Sequence, residues 1–433
     1  MTLRLTILQP NLAGQRYSCH GCGNCCRDFT VQLREEDIDK IRQQGWTEKL
    51  GFDPVVEFRG ERYLRQRDDG ACVFWLDDGR CRIHAEFGLS AKPIACQMFP
   101  FSLTPVTGGA VMGINFACQS VLENKGAELR THTRDLERMA RSLPEVHALN
   151  RPPMLTDKLR ASVGEIKALV NRLDAWFRRD DIDLSTRLDG LAWVIASLGK
   201  AKLAGVRDDR FADLLDVLFG ALPDELGFHP VDPPTRGQRK MLRQAVFARI
   251  EDPKIGRVHR TGRIRTVLSQ LRRSRRFASG KGVAPRVGDG WPEGVRLEAA
   301  EQVAPANDPN VVTAIDDLLT RWLRATILGG RAWGAGYYGW SALAGLRALV
   351  LNVAVLGWLA RLHAAGRGGG SGGGGGAERL AIEDVRAALS RIDRTAGRAR
   401  WLGGVSEEWR SAYFDTDDGL RRLLAAYPLI ESE

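Results

Sequence analysis

The placement of its cysteines constrains this chain more than any other feature. All eight lie between residues 19 and 118, four of them inside the stretch "CHGCGNCC" as Cys19, Cys22, Cys25 and Cys26, and the others at Cys72, Cys81, Cys96 and Cys118. Residues 119–433 contain none. Whatever depends on thiols is therefore organised by the N-terminal part of the chain.

A Cys-x-x-Cys spacing lets one turn of chain present two thiolates to one metal atom or cluster. Here it occurs twice in overlap, Cys19-Cys22 and Cys22-Cys25. Bacterial-type iron–sulfur runs use such an overlap with a further cysteine from elsewhere, whereas zinc sites more often join two separate pairs. Eight cysteines make two four-thiolate sites, or one site with spare thiols. The adjacent pair Cys25-Cys26 does not serve one ion equally. In an extended chain neighbouring side chains point to opposite faces, and on a helix they diverge by about 100°. Gly21 and Gly23 allow the backbone to fold tightly there. His20 and His84 lie in the same neighbourhood and read as supporting residues rather than ligands.

Compartment bears on this chemistry. The opening "MTLRLTILQP" breaks at Pro10 without an apolar run, so an export signal is not expected and the reading is cytoplasmic. Disulfides persist mainly in oxidising compartments, which favours metal or redox roles for these thiols. The apolar tract 332–360 is split by Arg347 into pieces shorter than the ~20 residues of a membrane span, so it reads as a buried bundle helix and no membrane partner is expected.

Two patterns divide the chain. In residues 1–125, short strand and turn signals surround the cysteines. Phe29 to Leu33 alternates like a strand, Arg34 to Trp46 reads as a helix, and hairpins are expected at Arg59-Gly60 and Gly108-Gly109. A short helix should end near Gly88 and give way to a proline-punctuated loop. From 126 to 433 the apolar period becomes 3.6, beginning with Leu159, Val163, Ile166, Leu169, Val170, Leu173 and Phe177 on one face. The expected fold class is α+β: a small cysteine-organised N-terminal domain with short hairpins, then an all-α helical bundle. The glycine tract 366–377 reads as a disordered loop between bundle helices.

Net charge is +10, and residues 236–286 alone hold sixteen Lys or Arg against Glu251 and Asp252. A nucleic-acid or acidic-partner surface is one reading of that segment. It lacks the interleaved aromatics of a stacking platform, and like-charge blocks are commonly solvated, so nucleic acid is not the favoured partner.

"CHGCGNCC", "CVFWLDDGRCRIHAEFG", "KPIACQMFPF" and the later Cys118 together resemble the YkgJ-type cysteine cluster family, described as a zinc- or iron-chelating domain. The resemblance covers roughly residues 15 to 125 and places Cys19, Cys22, Cys25, Cys26, Cys72, Cys81, Cys96 and Cys118 on the family's cysteine positions. His84 and Gln97 depart from its usual Tyr and Arg. Cysteine cluster plus helical part also resembles the FliB-type flagellin lysine N-methylases. That likeness implies an iron–sulfur cluster, S-adenosylmethionine and a protein substrate. No strand–GxGxxG–helix unit supports a conventional methyl-donor site, since "GGRAWGAG" (Gly329 to Gly336) follows a helical pattern. No HExxH, GxSxG or Walker-type loop is present either, and no catalytic residue is named. The expectation is a metal- or iron–sulfur-binding protein, with zinc as the other cofactor and enzyme status open.

Overall fold

The computed structural model describes residues 7, 8, 12–27, 29–58, 60–141, 143, 149, 151–228, 230–250, 263–288, 290–368 and 379–431. It is α+β, with short strands concentrated before residue 161 and long helices after it.

Around the cysteines, local sequence signals explain most elements. Glu35, Glu36 and Asp37 occupy the first turn of the Glu35–Gln43 helix, where acids complement the exposed amides, and Ile38 and Ile41 are buried behind them. Trp46, fully buried, opens the Trp46–Leu50 helix and meets the Phe74 ring edge-on at 4.9 Å. The expected first hairpin is strands β3 (Val55–Phe58) and β4 (Glu61–Leu64), with Gly60 at φ +79° in its turn; Arg59 lies outside the described residues. Residues 29–33 form only a bridge, Gln32 to Tyr63, although Val31 O and the Leu33 amide both bond to β4.

The second hairpin is β5 (Phe101–Val106) and β6 (Gly109–Ile114), with β1 (Ile7–Leu8) joining β6 in parallel. Its turn falls on Thr107-Gly108, one residue earlier than expected. Gly108 takes the left-handed position at φ +86°, which leaves Gly109 free to pair with Val106. The expected loop after Gly88 instead contains the helix Ile94–Met98. Asp37 explains it, because its Oδ1 accepts the Ile94 amide at 2.9 Å from a distant helix, a cap that no local pattern reveals.

Beyond residue 126 the chain is mainly but not wholly helical. Strand β7 (Ala127–Glu128) pairs with β2 (Arg16–Tyr17), and β8 (Met154–Thr156) pairs with β9 (Leu159–Arg160). The first long helix runs Val163–Phe177, so Leu159 lies in β9 and Val163 is exposed. Ser162 and Glu165 form the capping box that sets this start. Long helices follow at Leu184–Lys200, Asp209–Phe228, Pro309–Leu328 and Ile382–Thr395 around a central one, Ala342–Gly368. The central helix is long and apolar enough to cross a membrane, but 94% of its apolar window is buried inside the protein. Arg347 reaches out of it to Asp415.

The basic segment forms helices Arg236–Ile250 and Arg263–Ser279, with 251–262 outside the described residues. The first is packed inward, with Arg249 fully buried against Glu407 at 2.7 Å. Most of the glycine tract, 369–378, also lies outside the described residues.

Two hydrophobic clusters result. The small one, including Ile38, Trp46, Phe74 and Ile83, carries Cys72, Cys81 and Cys96 at its edge. The large one joins Tyr17, Phe101, Met112 and Phe116 to the long helices and carries Cys118.

Candidate metal centre

The "CHGCGNCC" loop is shaped by two left-handed glycines, Gly21 at φ +71° and Gly23 at φ +74°, followed by a tight 3-10 turn, Asn24–Cys26. A Cβ on Gly23 would lie 2.6 Å from Trp75 Nε1 and 3.1 Å from Gly79 O, and one on Gly79 would lie 2.7 Å from Gly21 O. Backbone therefore packs on backbone, which holds the loop against the 72–81 turn. The Cys72 amide donates to Cys26 O at 2.7 Å, and Trp75 bridges to Cys81. Cys81 stands at the N-cap of helix Arg82–Phe87 and Cys96 lies within Ile94–Met98. Cys118 stands at the N-cap of Gln119–Leu122 and has Cys22 and Cys25 as neighbours.

All eight cysteines are free thiols. Their mutual electrostatics outline two neighbourhoods that overlap at Cys25. Burial pushes the Cys72 thiol up to about 11, with Cys81 adding to the rise. Burial raises Cys96 as well, and Cys72, Cys81 and Cys25 act in the same direction. Cys26 is raised by its hydrogen bond to Cys25, by burial, and by Cys72 and Cys81. On the other side, burial pushes Cys118 up to about 12, helped by Cys22 and Cys25. Burial also raises Cys22, with Cys25 and Cys19 acting alongside. Cys25 is held low, chiefly by the hydrogen bond from Cys26. The adjacent pair stands where the two groups meet: Cys26 has Cys72 and Cys81 beside it, while Cys25 acts on Cys22 and Cys118 on one side and on Cys96 on the other.

Among the described residues, no three Cys, His, Asp or Glu side chains already stand in ion-holding geometry. The donor set nevertheless fits the metals the motif suggests, since clustered thiolates suit zinc and iron. Drawing the raised thiols onto an ion would release their protons.

Several residues that spacing arguments passed over surround the thiols. Lys92 is half-buried. Burial alone would lower its ammonium, but Cys81, Cys96, Cys25 and Cys26 outweigh this and raise it. The Tyr17 phenol is raised by burial and by Cys19, Cys118 and Cys25, and it hydrogen-bonds Cys19. The Arg27 guanidinium lies 4.2 Å from the Trp75 ring centroid, and Trp75 Nε1 is buried without a hydrogen-bond partner. A basic residue two positions after Ser90 in "GLSAKPIAC" was the one signal for Lys92 in the sequence. The two histidines sit apart from the thiol groups' interiors. His20 Nδ1 is 2.6 Å from Ser120 Oγ, and His84 is exposed on its helix.

A cavity of about 640 Å³ opens beside the second neighbourhood and is lined by Cys25, Cys26, Cys72, Cys81 and Cys96. Another part of its wall comes from the last residues of the Ile382–Thr395 helix and from Arg398 to Trp401 beyond it.

Comparison with known proteins bears on this same region. Residues 18–127 match the CxxCxxCC family model, described as "Putative zinc- or iron-chelating domain". The match takes in all eight cysteines and ends where the long helices have yet to begin. An uncharacterized protein of Methanocaldococcus jannaschii is 27% identical over 114 residues, which are 26% of this chain and 39% of that protein. The chain thus spans well under half the length of that relative. No solved structure matches. Neither match carries the methyl-transfer activity that the FliB-type resemblance implies.

Proposed function

We propose that this protein binds zinc or iron through two four-thiolate sites. Cys19, Cys22, Cys25 and Cys118 form one, and Cys26, Cys72, Cys81 and Cys96 form the other. The observation that carries the reading is the position of the adjacent pair. Cys26 has Cys72 and Cys81 beside it, Cys22 and Cys118 have Cys25 beside them, and the Cys25 and Cys26 thiols touch each other, so the pair joins two groups of sulfurs, with Cys25 also near Cys96. Lys92, set among four of the sulfurs, offsets the negative charge that four thiolates bring to each ion. A reducing, cytoplasmic setting suits eight unpaired thiols. Of the two metals, the overlapping C-x2-C-x2-C spacing favours iron in a sulfur-bridged cluster.

The test is anaerobic purification followed by metal and acid-labile sulfide analysis of the wild type, Cys118→Ser and Cys72→Ser. Each variant should retain about half of the wild-type metal, the other site being intact. Complete loss in both would mean a single shared centre, and metal-free wild type would end the proposal. Acid-labile sulfide with iron distinguishes the cluster from zinc.

A further inference from the structure

The thiols account for only one wall of the 640 Å³ cavity beside them. Its volume falls in the range of about 300–1,000 Å³ common for small-molecule sites. Much of the remaining surface is aromatic, including Phe29, Phe58, Phe74, Phe99 and Trp401. Phe29 and Phe99 meet edge-on at 5.1 Å, and the Arg394 guanidinium lies 4.6 Å from the Phe29 ring centroid. Against this apolar surface stand Lys92, Arg394, Arg398 and Arg400, while Glu61 is the one acid among the described lining residues. Glu61 faces Arg400 at 4.0 Å, and Lys92 sits among the thiols. Arg398 lines the cavity and makes no side-chain hydrogen bond or ion pair among the described residues; its charged neighbours are Arg331 and Asp393, and Asp393 is already hydrogen-bonded to Arg331.

We propose that this cavity binds a flat, aromatic molecule bearing a carboxylate or phosphate. The anionic group lies at Arg398, and the ring system packs against the Phe29–Phe99 pair and Trp401. Desolvated aromatic walls supply affinity by burying apolar area. The guanidinium selects an anion through charge-assisted hydrogen bonds. The site needs no metal on the thiols to form, so this inference stands apart from the metal reading.

The experiment titrates 1-naphthoate and the uncharged 1-naphthalenemethanol into the full-length protein by calorimetry, with metal content measured on the same samples. Naphthoate should bind at least about tenfold more tightly, a difference of about 1.4 kcal/mol. Arg398→Gln, an exposed position, should erase that preference while the circular dichroism spectrum is unchanged. Phe29→Leu should weaken both compounds. Equal affinity for the two compounds, an unchanged preference in Arg398→Gln, or no saturable binding would each overturn the proposal. None of these outcomes alters the metal count, so its failure is separate from failure of the two-site reading.

Discussion

Lys92 shows how a single residue can matter to a centre that it does not ligate. Its ammonium sits among Cys81, Cys96, Cys25 and Cys26, where it lowers the cost of gathering thiolates. Lys92→Met should weaken metal binding in the Cys26 site by about 10- to 100-fold, the usual effect of removing a group that supports ligands. Chelator competition would measure it, and the proposed Cys118 site should weaken less, since Cys25 is the one member of that set beside Lys92. Gly23 matters for a different reason. At φ +74°, with Trp75 Nε1 2.6 Å from where a Cβ would be, it tolerates no side chain. Gly23→Ala should destabilise the protein by more than about 1 kcal/mol in urea unfolding, since alanine both resists this backbone and collides.

Among the elements, those with local causes were legible in advance. The Glu35–Gln43 helix, the β3–β4 hairpin and the long helices follow from acids in a first turn, a Gly turn and the 3.6 period. The helix carrying Cys96 was not, because its cap comes from Asp37, 57 residues away. Asp37 also accepts the Arg34 amide of its own helix at 3.3 Å. Asp37→Ala therefore removes two caps at once and should cost about 1–4 kcal/mol, at 0.5–2 per cap. Loss of metal from the Cys96 site at milder urea than from the Cys118 site would mark the effect as local. A similar distance argument explains strand β7, which is two residues long and held by pairing with β2, whereas β8 and β9 form a local hairpin too short to show an alternating pattern.

For the whole molecule, the joint between the cysteine region and the long helices is polar and buried. Asp393 accepts from the Phe116 amide at 2.7 Å, from Trp322 Nε1 at 3.2 Å and from both Arg331 nitrogens at 3.1 Å. Arg321 reaches Gln15 at 2.7 Å and the carbonyls of Val121 and Leu122. The glycines of "GGRAWGAG" bring the chain close enough for this. A Cβ on Gly329 would lie 2.8 Å from Gly113 Cα, so these glycines serve packing rather than a nucleotide. Asp393→Ala should cost about 3–5 kcal/mol, because it leaves Arg331 buried beside an empty position. The Asp384 carboxylate ties the central helix to Ile382–Thr395 through His363 at 2.7 Å and Arg367 at 2.8 Å. Burial pushes its pKa up, but these hydrogen bonds overcome burial and hold it below the usual carboxylate value. A depressed folded-state pKa contributes stability that is present above the unfolded value of about 3.9 and lost as pH falls through the folded one. The urea midpoint should therefore drop from about pH 5 to pH 3, and Asp384→Asn should flatten that drop.

By itself the sequence determined that the thiols belong to the first 118 residues, that helices follow, and that Cys25 and Cys26, being adjacent, point in different directions. Spacing and periodicity are local properties, so they survive without coordinates. Only the tertiary structure set Cys118 beside Cys22 and Cys25, and Cys72 and Cys81 beside Cys26. It also placed Lys92 among the sulfurs and set an aromatic, cationic cavity against them. Those relations depend on backbone pairings such as Cys72 to Cys26 and on a carboxylate cap spanning 57 residues. Long-range contacts of that kind leave no period in the chain.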